Sequence, residues 1–350
     1  YRVVTSPEEA EIIVVNTCGF IGPAKKESID TILEMAQLKD QGRCERLVVA
    51  GCLSQRYPEE LAEQLPEVDH FLGSSDMLEL GAVLRREAGR MLVGNPAKWT
   101  LRASDPRRLS MSGPSAYVKI AEGCNRSCSF CAIPGIRGKQ RSRAIADVVE
   151  EAQRLAEQGV VELNLVSQDT IAYGRDLDDR PKLAELVEAL GDVPGIRWIR
   201  LHYLYPESLD DRLVALMAEH EKILPYVDMP LQHASDAMLR RMRRGHGGAR
   251  LRKLVDALRE RIPHLVFRTT FLVGHPGETE ADFEELVDFV RWAEFDHLGV
   301  FTYSPEEGTR AYEMGDEVPA AVARKRQRQL MSIQRKISRE KLRARIGTEI

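Results

Sequence analysis

The chain has 350 residues, a net charge of −4, and an ordinary mixture of 43% hydrophobic and 30% charged residues. It is long enough for two domains, has no apolar run that could form a transmembrane helix and no recognisable signal peptide, so we expect a cytoplasmic protein without a membrane partner. Six cysteines are too few for a disulfide scaffold in a chain of this length, and their clustering indicates metal ligation in a reducing compartment.

The first 94 residues alternate apolar runs with helical periodicity, which predicts a small parallel α/β domain. The first residue is not Met, and the chain opens in a strand-like segment, so we expect the natural protein to begin earlier. The predicted strands are residues 11–16, 46–50 and 68–72, and the predicted helices are residues 23–39, 58–65 and 76–86.

Two cysteines follow predicted strands of this domain. Cys18 and Cys52 fall at the carboxyl ends of strands, the working edge of a parallel sheet. They either lie side by side and share a metal or are buried thiols, a common state of free cysteine. Cys44 precedes its strand and is interpreted as non-ligating.

Residues 95–114 are rich in Pro, Gly, Ser and Arg and predict an interdomain linker. The chain then divides into a first domain over residues 1–94 and a second over residues 115–346.

The stretch over residues 120–143 places Cys124, Cys128 and Cys131 in a C-x-x-x-C-x-x-C run. Its glycines and Pro134 favour an irregular loop whose backbone N–H groups can face cluster sulfurs. Three thiolates take three corners of a cubane cluster and leave one iron open, whereas a structural zinc requires four ligands. A zinc knuckle and a set of unrelated buried thiols remain the alternatives. Four basic residues follow that could neutralise cluster charge or hold a carboxylate: Arg137, Lys139, Arg141 and Arg143.

Six β/α units follow and predict a curved, partly open barrel with its helices outside. The predicted strands are residues 116–120, 160–166, 197–203, 226–229, 265–273 and 298–303. The predicted helices are residues 146–158, 182–190, 208–220, 235–244, 249–261, 279–293 and 320–345.

Polar residues gather just past these strands, at the rim where β/α barrels perform their chemistry. Each one alone could also cap a helix or satisfy a turn. The set is Ser167, Gln168, Asp169, Pro206, Glu207, Gln232, His233, Gly274, His275, Ser304 and Glu306.

Positive charge concentrates in residues 239–253, with seven Lys/Arg, and in residues 323–345, with ten. These are either solvated helix faces or a basic surface for the ribosome or another anionic partner.

The cysteine spacing, with the aromatic Phe130 before the last thiol, resembles that of radical S-adenosylmethionine (SAM) enzymes. The segments NTCGFI (residues 16–21) and GCL-x-QRY (residues 51–57) resemble the first domain of that superfamily's methylthiotransferase branch, and the match runs over essentially the whole chain. This resemblance implies that the three loop cysteines hold a 4Fe–4S cluster whose open iron binds SAM and generates a 5′-deoxyadenosyl radical. It also implies that Phe130 packs near the adenine. We expect Gln168, Asp169, Gln232 and Gly274 to contribute to cofactor binding.

The resemblance also implies a second 4Fe–4S cluster, which carries the sulfur that a further SAM methylates. Cys18 and Cys52 match two of the three family ligands, and the third would precede residue 1. Either that ligand lies outside the given sequence or the second site is incomplete. An electron donor such as flavodoxin or ferredoxin is expected. The family ends in a small β-barrel that grips the substrate, and this chain stops about where that barrel should begin.

Within the branch, four stretches resemble the subgroup that methylthiolates the β-carbon of an aspartate in ribosomal protein S twelve of the small subunit. They are AEGCNRSCSFCAIPGIRGKQRSR (residues 121–143), SQDT-x-x-YG-x-D (residues 167–176), PLQHASD (residues 230–236) and YSPEEGT (residues 303–309). His275 departs from the aromatic residue expected before Pro276. The first alternative is the same chemistry on an adenosine of tRNA, and the second is a non-catalytic iron–sulfur or zinc module.

Overall fold

The computed structural model describes residues 1–109, 113–206 and 209–348. Two predictions, Glu207 at the rim and Ser208 at the start of its helix, lie outside the described residues. The predicted α/β class is confirmed, because parallel sheets with flanking helices make up both halves of the chain.

The first half forms a four-stranded parallel sheet in the order β1-β2-β3-β4. Its strands are β1 (Ile12–Thr17), β2 (Arg46–Gly51), β3 (His70–Leu72) and β4 (Met91–Leu92), and its helices are α1 (Gly22–Gln41), α2 (Cys52–Arg56), α3 (Pro58–Gln64) and α4 (Leu80–Leu84). Leu47 and Val49 of β2 face the α1 side, while Val48 and Ala50 face the opposite side. Because both faces are covered, β2 is an almost continuous apolar run.

The second half forms a curved sheet of six parallel strands in two hydrogen-bonded groups, β5-β8-β9 and β10-β11-β12. The groups adjoin where Ile199 bridges to Ile223. In chain order the strands are β5 (Ser115–Lys119), β6 (Ala121–Glu122), β7 (Arg141–Ser142), β8 (Glu162–Val166), β9 (Trp198–Leu201), β10 (Tyr226–Gln232), β11 (Val266–Val273) and β12 (His297–Thr302). The six predicted units are confirmed.

The helices of the second half pack their apolar faces onto this sheet. They are α5 (Ile133–Arg137), α6 (Ile145–Glu157), α7 (Leu183–Gly191), α8 (Asp211–Glu219), α9 (Asp236–Arg241), α10 (Gly248–Arg261), α11 (Glu280–Ala293) and α12 (Ala320–Ala344). In α6, Val148, Ala152 and Leu155 recur at helical spacing and are buried in the main core. No helix in the described part of the chain is long and apolar enough to cross a membrane.

Two local predictions need correction. The expected irregular loop over residues 120–143 contains the short helix α5 and the antiparallel β6–β7 pair, although the backbone from Cys124 to Cys131 is irregular as predicted. Helix α9 ends earlier than expected because Arg243 and Gly245 adopt left-handed φ angles of 57° and 72°, which a helix does not accommodate.

Candidate active site

The cysteine loop closes on itself at its base. The backbone N–H of Cys124 donates to the Gly138 carbonyl at 3.1 Å, next to the β6–β7 pair. Gly123 has a φ of 81°, and a Cβ there would overlap the Lys139 carbonyl. Only glycine therefore fits where the two ends of the loop meet.

The middle of the loop is anchored by Ser129, which is buried. Its N–H donates to the Met242 carbonyl at 3.1 Å, and its carbonyl accepts from the Ala311 N–H at 2.8 Å. Burial lowers the pKa of His275 to about 4, so this ring is neutral. Because His275 Nδ1 lies 3.0 Å from the Pro276 carbonyl and must donate to it, Nε2 accepts from Ser129 Oγ at 3.0 Å.

Two of the three loop thiols accept hydrogen bonds. The backbone N–H of Arg126 donates to Cys124 Sγ at 3.4 Å, and the guanidinium Nη1 of Arg244 donates to Cys128 Sγ at 3.3 Å. Burial raises the pKa of Cys124, and raises the pKa of Cys131 to about 12. A free Cys131 is thus protonated at neutral pH, and metal binding must release that proton.

No three His, Cys, Asp or Glu side chains in the described residues are placed to hold one metal ion. A zinc knuckle requires such a closed group. Thiolates on a cubane cluster each bind a different iron, so they need not converge on one point.

An aromatic and apolar patch lies beside the loop. Phe130 packs on the buried cluster of Met238, Met242 and Leu272 together with Tyr303. The His275 ring meets Phe130 edge-on, with ring centroids 6.4 Å apart. The histidine thus makes an aromatic contact at the position before Pro276, where an aromatic residue is expected. A flat, apolar ligand fits such a patch.

Gln168 and Asp169, just past β8, present two buried acceptors. Asp169 Oδ2 accepts from Arg126 Nε at 2.5 Å. Asp169 Oδ1 and Gln168 Oε1 are buried and have no hydrogen-bond partner within the described ranges. Because lone buried acceptors are unfavourable, this pair suits a donor-rich ligand such as an ammonium group.

The other rim residues have protein partners or backbone roles. Gln232 follows a bulge in β10 and has a φ of 73°. Gly274 is required by packing, because a Cβ there would lie 2.5 Å from Ala323 Cβ of α12. His233 is buried between Glu278 and the Ser235 N–H, so it belongs to the scaffold. The ligand contacts proposed for Gln232 and Gly274 stay predictions.

Cys18 and Cys52 both follow strands at the carboxyl edge of the first sheet. Thr17 pairs with Gly51 in register, so these cysteines follow paired residues of β1 and β2. Cys18 is exposed and Cys52 is buried. Cys44 precedes β2, is buried and donates its thiol to the Arg46 carbonyl at 3.4 Å, which fits the prediction that it is not a ligand.

Arg137 connects the two sets of cysteines. Helix α5 carries it from the loop toward the first sheet, where Nε and Nη2 donate to Cys52 Sγ at 3.2 and 3.0 Å. Its Nη1 donates to Glu122 Oε1 at 3.1 Å. Of the basic residues after the loop, Arg141 instead donates to backbone carbonyls, and Arg143 pairs with Asp147 and Glu151.

Glu306, past β12, binds helices α1 and α2 of the first half to the barrel rim. Its Oε1 accepts from the Gly22 N–H at 2.7 Å, and its Oε2 accepts from Lys25 at 2.9 Å and Arg56 at 2.7 Å. Ser304 Oγ adds a further contact to the Gly22 N–H at 3.1 Å. Both rim residues therefore serve the contact between the halves of the chain.

Sequence reasoning misses Arg126, Arg244 and Tyr303. The first two contact loop cysteines, and the third lies on the patch with Phe130. For Arg244, the signal in the sequence is the basic run over residues 239–253, which the sequence alone indicates to be a basic surface.

Residues 118–290 match the family described as the radical SAM superfamily, and residues 1–73 match uncharacterized protein family UPF0004. Among solved structures, the radical SAM methyltransferase TsrM from Kitasatospora setae, with cobalamin and a [4Fe-4S] cluster bound, has a TM-score of 0.62 at 18% identity over 85% of this chain and 66% of its own. The cobalamin-dependent SAM radical enzyme OxsB has a TM-score of 0.55 at 11% identity over 93% of this chain and 48% of its own. The chain has the fold of the radical SAM enzymes.

Curated relatives identify the family within the radical SAM enzymes. The ribosomal protein uS12 methylthiotransferase RimO of Sorangium cellulosum is 66% identical over 99% of this chain and 72% of its own length. Those of Myxococcus xanthus and Aquifex aeolicus are 52% and 50% identical over the whole chain and 73% and 77% of their lengths. The chain belongs to the RimO family of radical SAM methylthiotransferases. SAM and 4Fe–4S clusters are therefore its cofactors.

Proposed function

We propose that this chain adds a methylthio group to the β-carbon of an aspartate in ribosomal protein uS12, consuming two SAM molecules. The observation that carries the proposal is the contact of Arg137, just after the cysteine loop, with Cys52 of the first half. This contact brings the proposed site of radical generation next to the proposed sulfur-carrying site. The names of the relatives supply the substrate and favour it over tRNA.

Cys124, Cys128 and Cys131 are proposed to hold the first 4Fe–4S cluster. When bound, this cluster supplies the electron that cleaves SAM to a radical able to break an unactivated C–H bond. The chain contributes a loop fixed through Ser129 and a guanidinium, that of Arg244, on one thiol. Positive charge beside thiolates stabilises the negative cluster.

SAM is proposed to lie between the Phe130 patch and the two lone acceptors past β8. Phe130 offers an apolar face to the adenine. Gln168 Oε1 and Asp169 Oδ1 would accept from the amino group of the methionine part. Arg126 holds Asp169 in place and fixes which oxygen faces the ligand.

Cys18 and Cys52 are proposed as two ligands of the second cluster. Residues 1–94 would then form the sulfur-carrying domain, residues 95–114 the linker, and residues 115–346 the radical domain. The electron donor is proposed to be a small redox protein such as flavodoxin or ferredoxin. Since its substrate is a ribosomal protein, the enzyme would act in the cytoplasm.

The test measures the mass of uS12 and the modified nucleosides of tRNA in cells lacking the gene. Complementation with the intact gene should restore a methylthio mass increment on the aspartate of uS12. A C124A/C128A/C131A variant should not restore it. A missing methylthio group on a tRNA adenosine, with uS12 unchanged, would contradict the proposal.

The rival of a non-catalytic iron–sulfur module makes a different prediction. Reduced, anaerobically reconstituted protein mixed with SAM should release 5′-deoxyadenosine if the proposal holds. Protein that contains its iron and releases none would favour the rival.

A further inference from the structure

A cavity of about 440 Å³ opens beside the cysteine loop, and we call it the arginine cavity. Its described lining includes Arg126 from the loop, Arg175 after β8, and Arg243, Arg244 and Arg250 around the start of α10. None of its described lining residues carries a carboxylate. The cavity thus combines strong positive charge with a position next to the first cluster site.

Arg244 forms the inner wall and is fixed in place. It is only 4% exposed, donates from Nη1 to Cys128 Sγ, and donates from Nη2 to the Pro230 carbonyl at 2.7 Å. Its guanidinium lies 4.2 Å from the centroid of the Tyr205 ring, and the Tyr205 hydroxyl donates to the Arg244 carbonyl at 2.6 Å. Arg244 Nε is buried without a hydrogen-bond partner in the described chain. A buried donor of this kind favours an acceptor from a ligand.

Arg243 and Arg250 form the outer mouth. Both are exposed, and neither side chain makes a hydrogen bond or ion pair with any described residue. Arg243 has a φ of 57°, an unfavourable conformation for a residue with a side chain. His246 between them stays neutral, because burial and then the charges of Arg244 and Arg250 lower its pKa to about 4. The mouth therefore carries two guanidinium charges without a partner among the described residues, and an anion would neutralise them.

We propose that the arginine cavity binds the side-chain carboxylate of the target aspartate. This inference rests on the proposed function, in which the reacting carbon is bonded directly to that carboxylate. Holding the carboxylate at Arg243 and Arg250 would place the β-carbon beside the cysteine loop. A guanidinium suits this task because its planar fork matches both carboxylate oxygens.

The carboxylate of SAM has the same chemistry, and the two sources can be separated. Arg126 and Arg244 contact Asp169 and Cys128, so they lie on the side of the cavity where SAM is proposed to bind. Arg243 and Arg250 lie at the solvent side, which a protein substrate reaches first. Substitutions of Arg243 and Arg250 therefore test binding of the protein substrate.

The experiment measures binding of purified uS12 and its target Asp→Asn variant to unreduced enzyme loaded with SAM. Intact enzyme should bind the aspartate form about tenfold to hundredfold more tightly, since a charge-assisted hydrogen bond contributes that much. R243Q/R250Q should bind the two forms equally and keep its affinity for SAM. R243K/R250K should retain part of the preference. R240Q, which removes an exposed charge of α9 outside the cavity lining, should retain all of it.

Two outcomes overturn the inference alone, provided that the intact enzyme still methylthiolates uS12. One is an R243Q/R250Q enzyme that prefers the aspartate form as strongly as the intact enzyme. The other is a tenfold loss of SAM affinity with that preference unchanged, which would assign the cavity to the cofactor. If the intact enzyme modifies tRNA and never uS12, the proposed function fails and the inference with it.

Discussion

Arg137 shows how one side chain can couple two sites. It stands six residues past Cys131, yet its guanidinium contacts Cys52, a residue 85 positions earlier in the chain. Burial opposes the charge of Arg137, but Glu122 and Cys52 outweigh burial and raise its pKa, so it remains a cation. A fixed cation at a cluster ligand stabilises the reduced, more negative state of that cluster.

The first prediction concerns the reduction potential of the second cluster. In a C124A/C128A/C131A background, where only that cluster is retained, R137Q should lower the potential by on the order of 100 mV, because a unit charge a few ångströms away is lost. Electron paramagnetic resonance during a redox titration measures this. R137K should lower the potential less, since it keeps the charge and loses the two-pronged contact.

The matched control is K139Q, which removes an exposed positive charge two residues away without a contact to either cysteine. Its potential should stay within the error of the intact protein. Equal potentials for R137Q and K139Q would show that Arg137 does not influence the cluster.

At the scale of elements, the turn after β11 is shaped by its contact with α12. Gly274 has a φ of 78°, and the position of a Cβ would be 2.5 Å from Ala323 Cβ. Two penalties therefore add at this position, one from the backbone conformation and one from the clash. Gly308 has a φ of 76°, and no atom lies within 4 Å of the place that a Cβ would take, so it carries the first penalty only.

The second prediction separates these penalties. G274A should lower the free energy of unfolding by about 2–4 kcal/mol, and G308A by about 1 kcal/mol. Adding A323G to G274A should remove the clash, giving a favourable coupling of about 1–3 kcal/mol between the two substitutions. Urea unfolding of the intact protein, G274A, A323G and G274A/A323G measures the coupling, and G308A is unfolded in the same way. Independent effects at the two positions would contradict the predicted clash.

The elements that the sequence predicts well are those specified by local pattern. The predicted strand over residues 46–50 ends within one residue of β2, because a buried parallel strand is a run of apolar residues. The sequence does not predict helix α5, because Pro134 is typical of a loop, whereas proline also favours the first turn of a helix. Local pattern alone cannot decide between these uses.

Some residues of the candidate site can also be predicted from local sequence, whereas others depend on the folded arrangement. Spacing identifies the three loop cysteines, and strand ends identify the cysteines after β1 and β2. The partners of Glu306 lie 250 to 284 residues away, so its role in joining the two halves depends on the folded arrangement. Arg244 likewise reads as surface charge in the sequence, although it is buried on Cys128.

For the whole molecule, Glu306 is the buried carboxylate that holds helices α1 and α2 of the first half on the barrel rim. Burial acts to raise the pKa of Glu306, but its hydrogen bonds, chiefly from Lys25, outweigh burial and lower the pKa below 4.5. A lowered carboxyl pKa means that the ionised form stabilises the folded state. Its contribution is complete above about pH 4.5 and is lost as the pH falls through the folded pKa.

The third prediction is that E306Q loosens this contact. The amide leaves Lys25 and Arg56 without their counter-charge, so the opening free energy of the contact should fall by about 1.5–3 kcal/mol. Hydrogen exchange at the Gly22 and Lys25 amides, compared with that at β10 and β11, measures it. In the intact protein the protection of these amides, relative to the intrinsic exchange rate at each pH, should fall in the same way as the pH drops below about 4.5.

The matched control for this prediction is E307Q. The neighbouring Glu307 is exposed and accepts only a long 3.5 Å contact from the Tyr57 hydroxyl with its side chain. Its exchange should match that of the intact protein. If E306Q and E307Q behave alike, the buried ion pairs do not hold the two halves together.

The fourth prediction treats the two cysteine sets as separate functions of one molecule. C124A/C128A/C131A should lose iron and release no 5′-deoxyadenosine, because the first cluster is gone. C18A/C52A should also lose iron but should still cleave SAM while transferring no methylthio group. C44A removes a buried thiol that lies before β2 and donates to the Arg46 carbonyl. The iron content of the C44A variant should therefore be unchanged.

Iron and sulfide analysis of the anaerobically reconstituted variants, together with chromatography of the SAM products, checks all three expectations. The decisive comparison is between C18A/C52A and the loop variant, since both lose iron but only one should lose SAM cleavage. If both lose SAM cleavage while remaining folded, the sets do not act separately. Arg137 would then be the first contact to examine, because it joins Cys52 to the loop that carries the other thiols.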